Sequence, residues 1–161
     1  MVQPLSSFPP STAASGWPCS WARQRLLLER QHDRLAVLLD ALVEEHAAPR
    51  ESSTCPWPHA SDAGFRLLIR RLQLHLHLEE RCLSARGCLC PGHRTAHAQV
   101  AAAAVADLER GGSDRFARLA LLMGLREWLR CHCAGPDAVA YSRADAHADI
   151  STAAVVATSA R

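Results

Sequence analysis

Apolar residues recur at intervals of three and four along four stretches of this chain, the spacing that lines one face of an α-helix. The first runs from about Ser20 to Ala47, with Leu28, His32, Leu35, Leu39 and Leu42 on one stripe. The second starts near Ser61-Asp62, read as an N-cap, and carries Phe65, Leu68, Leu72, His75, Glu79 and Cys82. The third holds His93, His97, Val100, Ala104 and Leu108 up to Gly111-Gly112. Ser113 or Asp114 caps the fourth, whose stripe is Leu122, Leu125, Leu129 and His132, and Gly135-Pro136 is expected to stop it.

Pro49, Pro56 and Pro58 break the chain between the first two helices, and Gly87 to Gly92 and Gly111-Gly112 mark the other breaks. Short connections between the second and third and the third and fourth segments make those neighbours antiparallel. The expected fold is therefore all-α, an up-down-up-down four-helix bundle. Residues 1–16, with Pro4, Pro9 and Pro10 among Ser and Thr, read as a disordered N-terminal tail. Residues 17–141 form the bundle, and the Ala/Ser/Thr-rich stretch 142–161 reads as a flexible C-terminal tail.

Composition narrows the functional classes. The chain has 161 residues, enough for one core, and aromatic residues make up only 5%, against a β-sandwich. The 18 basic side chains, all Arg, nearly balance 16 acidic ones, so no strong field selects nucleic acid or anionic lipid. Met1 to Gly16 lacks the apolar stretch of a secretory signal, and the longest small-apolar run, Val100 to Ala106, is far short of the ~20 residues of a membrane span. Seven Cys, an odd number in no regular framework, fit a reducing, cytoplasmic setting.

The informative feature is what interrupts the stripes. His32, His75, Glu79, His93, His97 and His132 stand where Leu would be expected. An unsatisfied buried polar group costs roughly 1–3 kcal/mol, and six would consume most of the ~5–15 kcal/mol that stabilises a domain. A metal centre satisfies them together. His75 and Glu79 are four apart, as are His93 and His97, so each pair leaves one helix face. His132 and Asp137 are five apart, which would diverge by about 140° on a regular helix. Gly135-Pro136 between them lets the chain curl so that Asp137 points inward.

These residues stand in a familiar order: Trp17, then Glu29-Arg30-Gln31-His32, then His75-Leu76-His77-Leu78-Glu79-Glu80, then His93-Arg94-Thr95-Ala96-His97, and finally Trp128-Leu129-Arg130-Cys131-His132 through Asp137. The set resembles hemerythrin, in particular the single-domain bacterial type, over Trp17 to about Tyr141. Leu76 replaces the family's usual Phe, Leu83 a Met, and Val100 stands where a Phe often follows the third motif. The turn before His93 is one residue short of the family's.

The resemblance implies two iron ions. His93, His97 and His132 would be terminal ligands of one, and His32 and His75 of the other. Glu79 and Asp137 would bridge the pair together with an oxo or hydroxo group, leaving one position open for O2. Leu129 and Trp128 are similar to the family's apolar cover over that position. The implied function is reversible O2 binding by a carrier, store or sensor, not an enzyme, with a redox partner or an O2-consuming oxidase as the class of protein partner. The alternative is a di-iron peroxidase, NO reductase or iron-handling oxidase on the same site. Five imidazoles and two carboxylates suit divalent iron, whereas oxygen-activating bundles use four carboxylates.

Competing readings are few. His77 with Glu80 makes a slipped pair three apart, leaving His77 solvent-facing if His75 and Glu79 are used. Cys88, Cys90, His93 and His97 could be read as a zinc site, but only two residues separate the pairs. Cys131 and Cys133 flank His132 by about 100° on either side and read as packing residues. His46, His59 and His147 read as surface residues, and Arg66, Arg70 and Arg71 as a solvated face.

Overall fold

The structure, a computed structural model, describes residues 20–48, 58–109 and 115–159. Helix α1 spans Trp21–Ala47, α2 Pro58–Ser84, α3 Pro91–Glu109 and α4 Arg115–His132. A π-helical turn, Cys133–Asp137, joins α4 to α5, Ala138–Ser159. Each helix packs on the next, and α4 returns to α1, closing a four-helix bundle. The α2–α3 connection is tight because Gly87 adopts φ 66° after the last helical turn. Its N–H donates to the Ser84 carbonyl and that of Cys88 to the Leu83 carbonyl, which caps α2.

The core has three layers along the bundle axis. Leu35, Leu39, Leu42, Phe65, Leu68, Leu72, Leu122, Leu125 and Leu129 fill one end. Trp21, Leu28, Leu83, Cys88, Tyr141 and Ala144 fill the other. Between them, on each helix in turn, sit the polar residues that interrupt the stripes. Leu76, Leu83 and Val100, the departures from the family pattern, are all buried in the apolar layers.

Several expectations are corrected. Helix α2 begins at Pro58 and not at Ser61-Asp62, since a first-turn proline loses no needed N–H. Asp62 lies within the helix and accepts a 2.6 Å hydrogen bond from Arg118. Gly135-Pro136 does not stop the fourth helix, because the π turn widens the backbone around Pro136 and the helix resumes. The stretch 142–161 is not a loose tail over its described part: α5 runs to Ser159 and Ala144 is fully buried. Asp145 accepts the Trp21 indole N–H at 2.6 Å and pairs with Arg25, tying α5 to α1. His46 is buried, its Nδ1 2.8 Å from the Leu42 carbonyl oxygen, because it continues the α1 stripe one turn past Leu42. In α3 the fully inward position is Asp107, continuing the four-three spacing from Ala104, while Leu108 is half-buried and packs against the core. Residues 1–16, Trp17, His59 and the expected caps Ser113 and Asp114 lie outside the described residues or side chains.

Asp107 is tolerated there because Arg118 is also buried, 3.7 Å from it, bonded to Asp62 and stacked 4.8 Å over the Phe65 ring. Replacing Arg118 with Ala removes its contacts with Asp62, Asp107 and the Phe65 ring together. The expected loss is about 3 kcal/mol in urea unfolding, with metal content per chain unchanged because the pair lies in another layer.

Candidate metal centre

Each helix contributes to the central layer through its own local geometry. His32 comes from α1, His75 and Glu79 from successive turns of α2, and His93 and His97 from successive turns of α3. His132 ends α4 and Asp137 ends the π turn. A turn closed by i→i+5 hydrogen bonds brings residues five apart onto one face, so the five-residue spacing works through a bulge rather than a break. Glu79 is 0% exposed, Asp137 and His97 1%, and His75 2%.

The donor atoms converge. Asp137 turns Oδ1 toward His93 Nε2 at 3.0 Å and His132 Nε2 at 3.1 Å, while its Oδ2 lies 3.3 Å from His32 Nε2. Glu79 Oε2 sits between His97 Nε2 at 3.4 Å and His75 Nε2 at 3.7 Å. The Nε2 atoms of His97 and His132 are 2.9 Å apart, as are those of His132 and His93. Glu79, His93, His97, His132 and Asp137 form one group able to hold a metal ion, and His32, His75 and Glu79 form a second.

The residues fit a metal. Both oxygens of Glu79, both of Asp137 and Nε2 of His32 are buried without a hydrogen-bond partner. Two such carboxylates leave a cost of several kcal/mol, at roughly 1–3 kcal/mol or more per group, which a shared cation offsets. Three imidazole nitrogens packed around one point likewise need a common electrophile, since a neutral ring carries only one N–H.

Outer partners orient the rings. Gln31 Oε1 lies 3.0 Å from His75 Nδ1, and Glu80 Oε1 lies 3.1 Å from His97 Nδ1. An Nδ1–H donated outward leaves Nε2 as the inward lone pair, as metal-binding histidines require. Trp128 stacks 4.3 Å from the His132 ring and fixes its plane. The Tyr141 hydroxyl faces Glu79 short of hydrogen-bond geometry, and burial raises its pKa.

Protons distribute unevenly over the cluster. Burial and the neighbouring imidazoles lower His75 and His97 to about 3, so both rings are neutral near pH 7. Burial and the charge of Asp137 push Glu79 up to about 7. Against its own burial, Asp137 is held far below the carboxylate range by His132, His32 and His93. His32 is held at about 10: burial opposes its charge, but Asp137 and Cys133 outweigh it. A cation replaces such shared protons when ligands bind it.

Leu129 and Trp128 line a cavity of about 10 Å³ with Leu35, Leu39, Leu68, Leu72 and Leu125. It is apolar and has room for about one water-sized molecule. On the outside, a groove of about 670 Å³ reaches His32, Leu129 and Cys133 past Asp33, Arg126 and Glu127.

The competing arrangements are not assembled. His77 is exposed, while Glu80 is engaged with His97. Cys90 is exposed and Cys88 bonds to the Arg86 carbonyl, and neither joins His93 and His97 in a metal-capable group among the described residues. Cys131, read as a packing residue, is instead exposed against Glu127, whereas Cys133 does pack against the core. No family model, curated protein or solved structure matches this chain.

Gln31, Glu80 and Tyr141 were not among the expected site residues. Gln31 and Glu80 stand beside ligand-spaced residues in the motifs, a detectable signal, whereas Tyr141 reaches the site only because the helix continues past Pro136. His147, exposed as expected, has its Nδ1 3.2 Å from the Arg86 carbonyl oxygen. Among the described residues, no helix is long and apolar enough to cross a membrane.

Proposed function

We propose that this chain is a hemerythrin-type, non-heme di-iron protein that binds O2 reversibly, as a carrier, store or sensor. The observation that carries the reading is the two-sided environment of its carboxylates: Asp137 directs one oxygen to His93 and His132 and the other to His32, and Glu79 lies between His97 and His75. Two ions held there would share these carboxylates, one beside three imidazoles and one beside two. Bound there, an iron pair would supply reversible O2 binding. The chain's own residues do the rest. Gln31 and Glu80 keep the rings in the ligating tautomer, Glu79 and Asp137 neutralise the cations, and Leu125, Trp128 and Leu129 exclude water.

The test is metal analysis with an optical spectrum. Two irons per chain are expected, with a visible band that appears when the reduced protein meets O2 and vanishes when O2 is removed. Leu129→Asn is expected to admit water and shorten the half-life of the O2-dependent band about tenfold, equivalent to ~1.4 kcal/mol. Zinc at one ion per chain would defeat the reading.

The open groove beside His32 favours a second reading, a di-iron peroxidase, NO reductase or iron-handling oxidase, because it offers room for a donor or substrate larger than O2. Multiple turnovers of peroxide or NO with an electron donor, and no persistent O2-dependent band, would mark that reading as correct.

A further inference from the structure

We infer that Cys133 is a thiolate ligand on the His32 side of the centre, an assignment that rests on the metal reading of the site. The ligand atoms of His32, Cys133 and Asp137 all lie within 4.8 Å of one another. Metal-to-sulfur and metal-to-imidazole bonds are about 2.3 Å and 2.0–2.1 Å, so donors of one ion stand up to about 4.4 Å apart, within a small side-chain adjustment of this group. The thiol does not stand alone. It faces the Asp137 carboxylate, whose side chain is 2% exposed and whose two oxygens have no hydrogen-bond partner. The buried His32 Nε2 beside it also lacks one.

Position in the chain makes this thiol different from its neighbour. Cys133 is the first residue of the π turn and lies at the foot of the open groove, half-buried. Cys131, two residues earlier, is exposed, contacts Glu127 and belongs to no metal-capable group among the described residues. Of the two, Cys133 alone stands beside His32 and Asp137.

With metal bound, Cys133 would add a sulfur donor on the His32 side, where the proposed function leaves room for O2. Coordination would replace the proton on sulfur by the metal without redox change: the thiol proton would pass to solvent through the groove as the sulfur–metal bond forms. An external ligand such as O2 would then have to compete with the sulfur, so Cys133 would regulate access to the centre. It also adds a soft donor that favours ions accepting thiolate.

Anaerobic loading of the full chain with Co(II) tests this without any assay of activity. The wild-type protein and Cys131→Ser are expected to show a near-ultraviolet thiolate-to-cobalt charge-transfer band. Cys133→Ser should bind the same amount of cobalt and lose the band. Iodoacetamide labelling, located by peptide mass, should slow at least tenfold at Cys133 on loading and stay unchanged at Cys131. Two cobalt ions per chain with no band, and labelling of Cys133 unaffected, would overturn the thiolate assignment alone. A chain that takes up no cobalt would overturn both it and the metal reading beneath it.

Discussion

Stripping metal from the reduced protein with a chelator is expected to lower its thermal midpoint by about 15 °C or more. The central layer holds two carboxylates and a histidine with orphaned buried atoms, between two clusters that are apolar apart from the Tyr141 hydroxyl. Each ion present at a thousand times its Kd adds about 4 kcal/mol to the folded state. At this chain length each kcal/mol is worth about 2–4 °C. Differential scanning calorimetry of loaded and stripped protein reads the difference, and restoring iron should restore the midpoint. An unchanged midpoint with confirmed metal loss would mean that Glu79 and Asp137 find other partners and that the layer is self-sufficient.

His75→Ala is expected to remove at least half of the bound metal, while His77→Ala leaves it unchanged. His75 is 2% exposed, its Nε2 faces Glu79, and Gln31 holds the opposite nitrogen. His77, two residues along the same helix, is exposed. The Ala variant at 75 deprives the two-imidazole side of one of its two rings, and ligand loss there also weakens the carboxylate bridge. Iron per chain, measured after identical loading, separates the two variants. If His77→Ala empties the site and His75→Ala does not, helix α2 is rotated in solution relative to this structure and Glu80 replaces Glu79.

The helices and the layer they bury were legible in the chain itself. The three-four spacing of Leu28, His32, Leu35, Leu39 and Leu42, and its equivalents elsewhere, is a local property: helical geometry alone places such residues on one face. The same periodicity put His75, Glu79, His93, His97 and His132 inside, and placed His77 outside. It also carries the signals for His46 and Asp107, each one step further along its stripe, although a histidine or aspartate at a helix end is ordinarily solvated.

Tertiary structure alone decided how the helices meet. Whether Pro136 would end the fourth helix depended on packing beyond it. Ala144 is buried, and Trp21 and Arg25 bind Asp145, so the continuation into α5 stabilises a π turn that a proline would otherwise make a terminus. That turn brings Asp137 between two sets of imidazoles and sets Tyr141 against Glu79. Pairings such as Gln31 with His75 and Glu80 with His97 cross between helices, and helical periodicity contains no information about which neighbouring face a side chain will meet.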